Sequence, residues 1–383
     1  METNEYDVVV VGASIAGCTA ATLLAQSGAR VALLERSADA TSYKAMCGHW
    51  ILGGAKETLE RVGFWQPIVA AGGVVGWPSV WAGDGWIDLH VGDVPPSISL
   101  RRKTLDPLLR RLTASTRGVD LQLGAEVAAL VRGEAGAIAG VATKSGDVFR
   151  APLVIGADGH RSATARLAGV AESTAPNARM FWWAYYEGLE MADGHTAQVW
   201  PADPDGAVVT PAGEGLHLVA AFATKQRHDE FAADRVGALE RYVAELPDAP
   251  NFGSARRVSR AIGTNDYPFV RRDPLPEAGL ALIGDAAMAS DPLPAVGCGW
   301  AIRSAAWLVD AYLANDLEQY RAARAIAEQY DDMARHDAAA PAYSADQEAF
   351  RMAARRDPEL ARRMGLFASR VVGPEILFAP APA

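Results

Sequence analysis

Three short clusters in this chain carry residue types that could do chemistry, and the first is Gly12-Ala13-Ser14-Ile15-Ala16-Gly17. It follows a β-branched apolar run, Tyr6 to Val11, and precedes Cys18 to Ser27, whose composition suits a helix closed by Gly28. A strand that turns through glycine into a helix points free backbone N–H groups, here those of Ser14, Ile15 and Ala16, at an anion. That is the chemistry of a pyrophosphate site. Gly12 permits the tight turn and Gly17 lets helix and strand pack closely, while Ser14 puts a small hydroxyl where a middle glycine is usual. Glu35, 18 residues beyond Gly17 at the end of a second apolar run from Arg30 to Leu34, is placed to accept hydrogen bonds from a ribose. Together these residues predict a dinucleotide-binding strand–turn–helix–strand unit.

The second cluster is Leu153-Val154-Ile155-Gly156-Ala157-Asp158-Gly159-His160-Arg161-Ser162, and the third is Leu280-Ala281-Leu282-Ile283-Gly284-Asp285-Ala286-Ala287. Both set Gly and Asp at the carboxyl end of an apolar strand, where open α/β sheets bind ligands. An NAD dehydrogenase has no need of either, so the three clusters together select FAD.

In this combination the chain resembles the flavoprotein family whose fold is typified by para-hydroxybenzoate hydroxylase. The resemblance implies that the second cluster lies near the pyrophosphate and the nicotinamide entry route, and that Asp285 holds the ribitol chain. The stretch from Asp285 through Asp291-Pro292, Gly297-Cys298-Gly299 and Ser304 is similar to a signature of geranylgeranyl reductases and flavin-dependent halogenases. Lys44-Ala-Met-Cys47-Gly48 resembles a segment of the reductases, and Arg102-Lys-Thr-Leu105-Asp106 matches a helix start whose Arg lies near flavin and phosphates. The cofactor set expected from motifs and resemblance is Gly12, Ser14, Ile15, Ala16, Gly17, Glu35, Arg36, Cys47, Arg102, Val127, Asp158, Gly159, Gly284, Asp285, Pro292, Gly297, Cys298 and Gly299. The family's patterns are departed from at Met288, Trp300 and Ala207 to Pro211, and the halogenase Trp-x-Trp-x-x-Pro segment is absent.

For substrate chemistry, Cys47 and His49 are the catalytic candidates, since both follow the second strand toward the flavin face and an imidazole can act as acid or base near neutral pH. Cys298 reads as a small packing residue, because nothing basic is spaced in sequence to activate it. Trp182, Trp183, Tyr185 and Tyr186 alternate along one strand, so one pair alone can face the flavin. Trp50, Trp183, Tyr185 and Pro294 are taken as the substrate pocket. Five tryptophans, Trp50, Trp65, Trp77, Trp81 and Trp86, crowd one early segment, which suits an aromatic pocket and ordinary packing equally.

These positions require a discontinuous flavin domain, because its motifs run from residue 12 to residue 299. The expected architecture is α/β, α+β overall. A Rossmann-like FAD-binding domain with a parallel sheet takes residues 1–75, 101–178 and 272–335. An antiparallel-sheet substrate domain takes 76–100 and 179–271, and a helical segment takes 336–383. Within the substrate domain, strands are expected over Arg179–Gly188, Thr196–Trp200, Ala207–Thr210 and Leu216–Thr224, backed by a helix from about Asp229 to Glu245. From Trp300 onward the pattern is helical, with interruptions at Pro341 and Pro358.

Composition excludes other classes. A formal charge of −10 argues against a nucleic-acid partner. Three scattered cysteines make neither a disulfide framework nor a metal site, and suit a reducing cytoplasm. No apolar run is long enough to span a membrane. The reading is an FAD-dependent monooxygenase that hydroxylates or epoxidises a medium-sized aromatic or polycyclic molecule of secondary metabolism through a flavin hydroperoxide. Electrons would come from NAD(P)H or a partner flavin reductase. The alternatives are a reductase or dehydrogenase of the geranylgeranyl reductase type, without oxygen insertion, and a flavin-containing non-redox cyclase.

Overall fold

A computed structural model describes residues 4–191 and 196–378. The outer ends of the expected domains, residues 1–3 and 379–383, and residues 192–195 within the substrate span lie outside the described residues. A five-stranded parallel sheet carries the motifs in the order Leu280–Leu282, Leu153–Gly156, Val8–Val11, Val31–Glu35, Val119–Leu123. Val8 to Val11 are buried on both faces, as a continuous apolar run in a covered parallel sheet must be. Register decides the site: Val11 pairs with Leu34 and with Gly156, and Gly156 pairs with Leu282. The three motif-bearing strands therefore end in one row. The ladder runs on past them, with the Gly12 N–H donating to the Leu34 carbonyl at 2.7 Å, Ala157 to Val11 at 2.8 Å and Ile283 to Gly156 at 3.0 Å.

Helix Ile15–Gln26 is buried from Ile15 to Ala25 and built of small residues, and it packs between helix Gly297–Leu313 and helix Arg102–Ala114. Gly17 is the closest point. A Cβ there would stand 1.8 Å from the Gly12 carbonyl oxygen, and one at Gly12 (φ +106°) would stand 2.6 Å from that of Ala157.

The second body is an eight-stranded sheet, running Arg256–Arg257, Arg179–Glu187, Leu216–Thr224, Gly206–Gly213, Ala197–Trp200, Pro78–Ala82, Gly85–Asp88, with Ile262–Thr264 also paired to Arg179–Glu187. It is antiparallel except where Ala197–Trp200 meets Pro78–Ala82 in parallel. The segment expected to join it whole is divided, since Ser97–Ser99 pairs instead with Trp50–Ile51 and Val74–Gly76. The backing helix is two, His228–Ala233 and Arg235–Ala244. Asp234 breaks the helical backbone and its carboxylate accepts from the Gly237 N–H at 2.9 Å to cap the second helix. Toward the C-terminus the first helix starts at Gly297 rather than Trp300, and the expected boundary after residue 335 falls inside helix Glu318–Ala339. Two further helices follow, Ala345–Ala354 and Pro358–Ala368, the latter opening on Pro358. No described helix is long and apolar enough to cross a membrane.

Candidate cofactor cradle and aromatic site

At the end of strand Val8–Val11 the chain enters the first helix through Ser14, whose extended backbone begins the helix without a side-chain cap. Ser14 Oγ instead accepts from Arg102 Nη2 at 2.6 Å. Arg102 also makes a two-point pair with Asp106, Nε to Oδ1 at 2.6 Å and Nη2 to Oδ2 at 2.9 Å. Both partners are almost wholly buried, so removing either would leave an uncompensated charge, a loss of about 3–5 kcal/mol. A guanidinium is thus fixed beside uncapped helical N–H groups, the donor set that a pyrophosphate requires.

Glu35 closes the turn from the side: Oε2 accepts from the Ala13 N–H at 3.1 Å and Oε1 from Ser37 at 2.9 Å. Asp285, on the short turn Gly284–Ala286 after the third motif strand, pairs with Lys44 Nζ at 2.6 Å across the row of strand ends. Gly284, in the left-handed region at φ +56°, faces Ala16 and Ala301 closely. A Cβ built on Gly48, Gly159 or Gly299 would meet nothing within 4 Å, so the space along the row is open at these points. These residues fit FAD.

Other expected ligands sit differently. Asp158 accepts within its own turn from Ser162 Oγ at 2.5 Å, the Thr164 N–H at 2.9 Å and Thr164 Oγ1 at 3.0 Å, so its carboxylate shapes the loop. Val127 lies at the start of strand Val127–Arg132 in a separate sheet, paired with Thr143 and packed in the cluster that includes Val9, Val11 and Leu34. Arg36 is exposed. Arg272, absent from the expected set, donates to the carbonyls of Ala286 and His160 at 2.9 and 3.0 Å and ties the second and third motif loops together. No local spacing could reveal it, because its partners lie on distant loops.

The peptide from Pro292 to Gly299 leads into helix Gly297–Leu313. Asp291 anchors its start, accepting from the Leu293 N–H at 2.9 Å and pairing with the buried Arg179 at 3.3 Å. Cys298, expected as a packing residue without activation, has Cys47 Sγ 3.5 Å away, with the charges of Arg102 and Lys44 acting on both sulfurs. Folding supplies the cations that spacing did not.

His49 is buried, in the left-handed backbone region at φ 50°, with its ring near-parallel to that of Tyr185 and Nδ1 3.4 Å from the Tyr185 hydroxyl. Burial, helped by the Arg102 and Arg101 charges, pushes its pKa down to about 3 against hydrogen bonds to the Pro211 and Cys47 backbone that raise it. The imidazole is therefore neutral at physiological pH, not the near-neutral acid or base that its residue type suggests.

Strand alternation resolves the aromatic pairs. Phe181, Trp183 and Tyr185 face a cluster with Trp50, Phe222, Tyr267, Leu293 and Ala295, whereas Trp182 and Tyr186 pack the opposite way against Trp200 and Tyr242. Trp183 Nε1 and Thr210 Oγ1 are also buried without partners among the described residues. Pro294, between Leu293 and Ala295 of that cluster, accepts from Arg370 at 2.9 Å through its carbonyl. Of the five early tryptophans only Trp50 joins this face. Trp65 lies in the core, Trp77 stacks on His90, and Trp81 and Trp86 meet edge to face.

The chain matches the family model described as FAD binding domain over residues 5–343. It is similar to a digeranylgeranylglycerophospholipid reductase 1 of Methanococcoides burtonii, 27% identical over 317 residues, 77% of this chain and 71% of that one. It is also similar to the FAD-dependent monooxygenase adrH of Penicillium rubens, 29% identical over 171 residues, 42% of this chain and 36% of the relative. The match thus spans about a third of that relative's length. Among solved structures, p-nitrophenol 4-monooxygenase PnpA from Pseudomonas putida DLL-E4 superposes with a TM-score of 0.79 at 19% identity, over 98% of this chain and 100% of that one. At that identity the likeness is one of fold.

Proposed function

The chain belongs to the FAD binding domain family, as an FAD-dependent oxidoreductase, and from that premise we propose a monooxygenase that hydroxylates or epoxidises a medium-sized aromatic or polycyclic molecule of secondary metabolism. FAD, when bound, supplies the redox chemistry, taking up two electrons and passing them on. Those electrons come from NAD(P)H or from a partner flavin reductase.

The chain's own residues do the rest. Arg102 and the N–H groups of Ser14, Ile15 and Ala16 hold the pyrophosphate, Glu35 the adenosine ribose, and Asp285 the ribitol chain. The N–H groups opening helix Gly297–Leu313 offer positive potential beside the ring. Substrate binds on the face formed by Trp50, Phe181, Trp183 and Tyr185. That face carries the reading: a buried, largely aromatic surface whose polar atoms include Trp183 Nε1 and Thr210 Oγ1, which have no partner among the described residues. Buried polar groups are ordinarily satisfied, so these two suit a ligand that is mainly apolar with a few oxygens or nitrogens. Burial raises the pKa of Tyr185 and keeps its hydroxyl protonated beside the neutral His49, a pair able to hold a proton at the Tyr185 oxygen while water is excluded.

A reductase that inserts no oxygen is the second reading. The Lys44 to Gly48 segment and the similarity to the Methanococcoides protein favour it. Turnover with labelled dioxygen separates the two. The monooxygenase is expected to consume oxygen in step with product and to carry one labelled atom into it. Unlabelled product formed at full rate under strict anaerobiosis would replace it with the reductase.

A further inference from the structure

Holding FAD leaves the cysteine pair without a task. Cys47 and Cys298 are 251 residues apart in sequence and their sulfurs 3.5 Å apart in space. Cys47 lies on the loop after strand Val31–Glu35, and Cys298 is the second residue of the helix Gly297–Leu313. The contact with Cys298 first, then the charges of Arg102 and Lys44 and a 3.3 Å hydrogen bond from the His49 N–H, outweigh burial and hold the Cys47 thiol well below its ordinary range. The same neighbour and burial push Cys298 up. The two sulfurs thus differ in ease of ionisation, Cys47 the lower and Cys298 the higher, which is the asymmetry of an attacking and a resolving cysteine. Cys18, buried in the first helix, has its thiol pushed up to about 12.

We propose that Cys47 and Cys298 form a redox-active thiol pair that takes low-molecular-weight disulfides and closes to an intramolecular disulfide across the cofactor cradle. The Cys47 thiolate attacks one sulfur of the small disulfide, a mixed disulfide forms on Cys47, and one small thiolate leaves. That thiolate takes the Cys298 proton. Cys298 then attacks the Cys47 sulfur, the mixed disulfide breaks, and the second small thiolate departs to take a proton from solvent. The protein loses two electrons and the small disulfide gains them. Closure shortens the sulfur separation to about 2.05 Å. Gly48 and Gly299, the neighbours of the two cysteines, have open space on their side-chain sides, which gives both segments room to make that approach. Cys47 is the more exposed of the two sulfur-bearing residues, so it meets the oxidant first.

The holoenzyme, treated anaerobically with oxidised glutathione, tests this by intact mass and free-thiol count. Two of the three thiols are expected to disappear without retained glutathione, and dithiothreitol to restore them. Cys298→Ser should trap one glutathione on Cys47, and Cys47→Ser should react at least about tenfold more slowly. Three persistent thiols, unresolved glutathione on the unsubstituted chain, disulfide-linked dimers, or Cys47→Ser reacting as fast as the parent would overturn the proposal. The thiol count reads the same whether or not FAD is retained, so it stands apart from the assignment of the cofactor.

Discussion

The cofactor cradle and the aromatic face meet at the Cys47 to Trp50 segment but are made by different means. The cradle is built from backbone: a row of aligned strand ends, an uncapped helix, and glycines where a side chain would collide. Its specificity is carried by N–H groups and by one buried guanidinium, and no large side chain is needed. The aromatic face is built from side chains alone, because its strands present the same hydrogen-bonded ladder whatever residues they carry. On the proposed assignment, a change in the cradle is expected to act on folding and cofactor together, and a change on the face to act on substrate and leave the flavin in place.

The largest effect that would break this contrast concerns Gly17. Gly17→Ala drives a methyl into the Gly12 carbonyl oxygen, a backbone atom that cannot swing away, and is expected to cost about 3 kcal/mol or more and to strip FAD. Urea unfolding and the flavin-to-protein ratio report both. A stable Gly17→Ala chain with a full complement of FAD would show that close packing is not what the cradle depends on.

Intermediate in size is a pH effect at the seam. The His49 pKa of about 3 lies below the ordinary 6.5, so between those values the unfolded chain binds a proton that the folded chain does not. Its contribution to stability is full above pH 6.5 and is lost as pH falls, about 2 kcal/mol by pH 5. Unfolding free energies from pH 7 to 5 should show this slope in the parent and a shallower one in His49→Gln. Equal slopes would place the ring in solvent rather than at a buried seam.

The smallest effect sharpens the other side. Trp183→Phe removes one indole N–H and little area, and is expected to change KM or turnover several-fold, about 1 kcal/mol, with FAD content unaltered. Loss of flavin in that variant would merge the two regions.

Most of the cradle was legible because its determinants are local. A β-branched run, glycines at fixed offsets and an acid at the next strand end describe one continuous strand–turn–helix–strand, and strand Leu216–Thr224 falls on its expected bounds for the same reason of alternation. The single helix expected over 229–245 is two helices: apolar periodicity continues through Asp234, while the break comes with the hydrogen bond that its carboxylate makes to the next helix. Asp158 shows a second side of locality: Ser162 and Thr164, four and six residues on, bind its carboxylate and fix the motif's turn.

Sequence by itself determined that this chain makes a dinucleotide cradle and that the cradle takes FAD, because backbone geometry is dictated by neighbours within a few residues. Tertiary structure alone decided that His49 is neutral, that Trp183 and Tyr185 pack toward Trp50 while Trp182 and Tyr186 pack toward Trp200, and that Cys47 stands beside Cys298 with Arg102 and Lys44 nearby. Burial, field and contact are sums over groups distant in sequence, and they exist only once the chain has closed on itself.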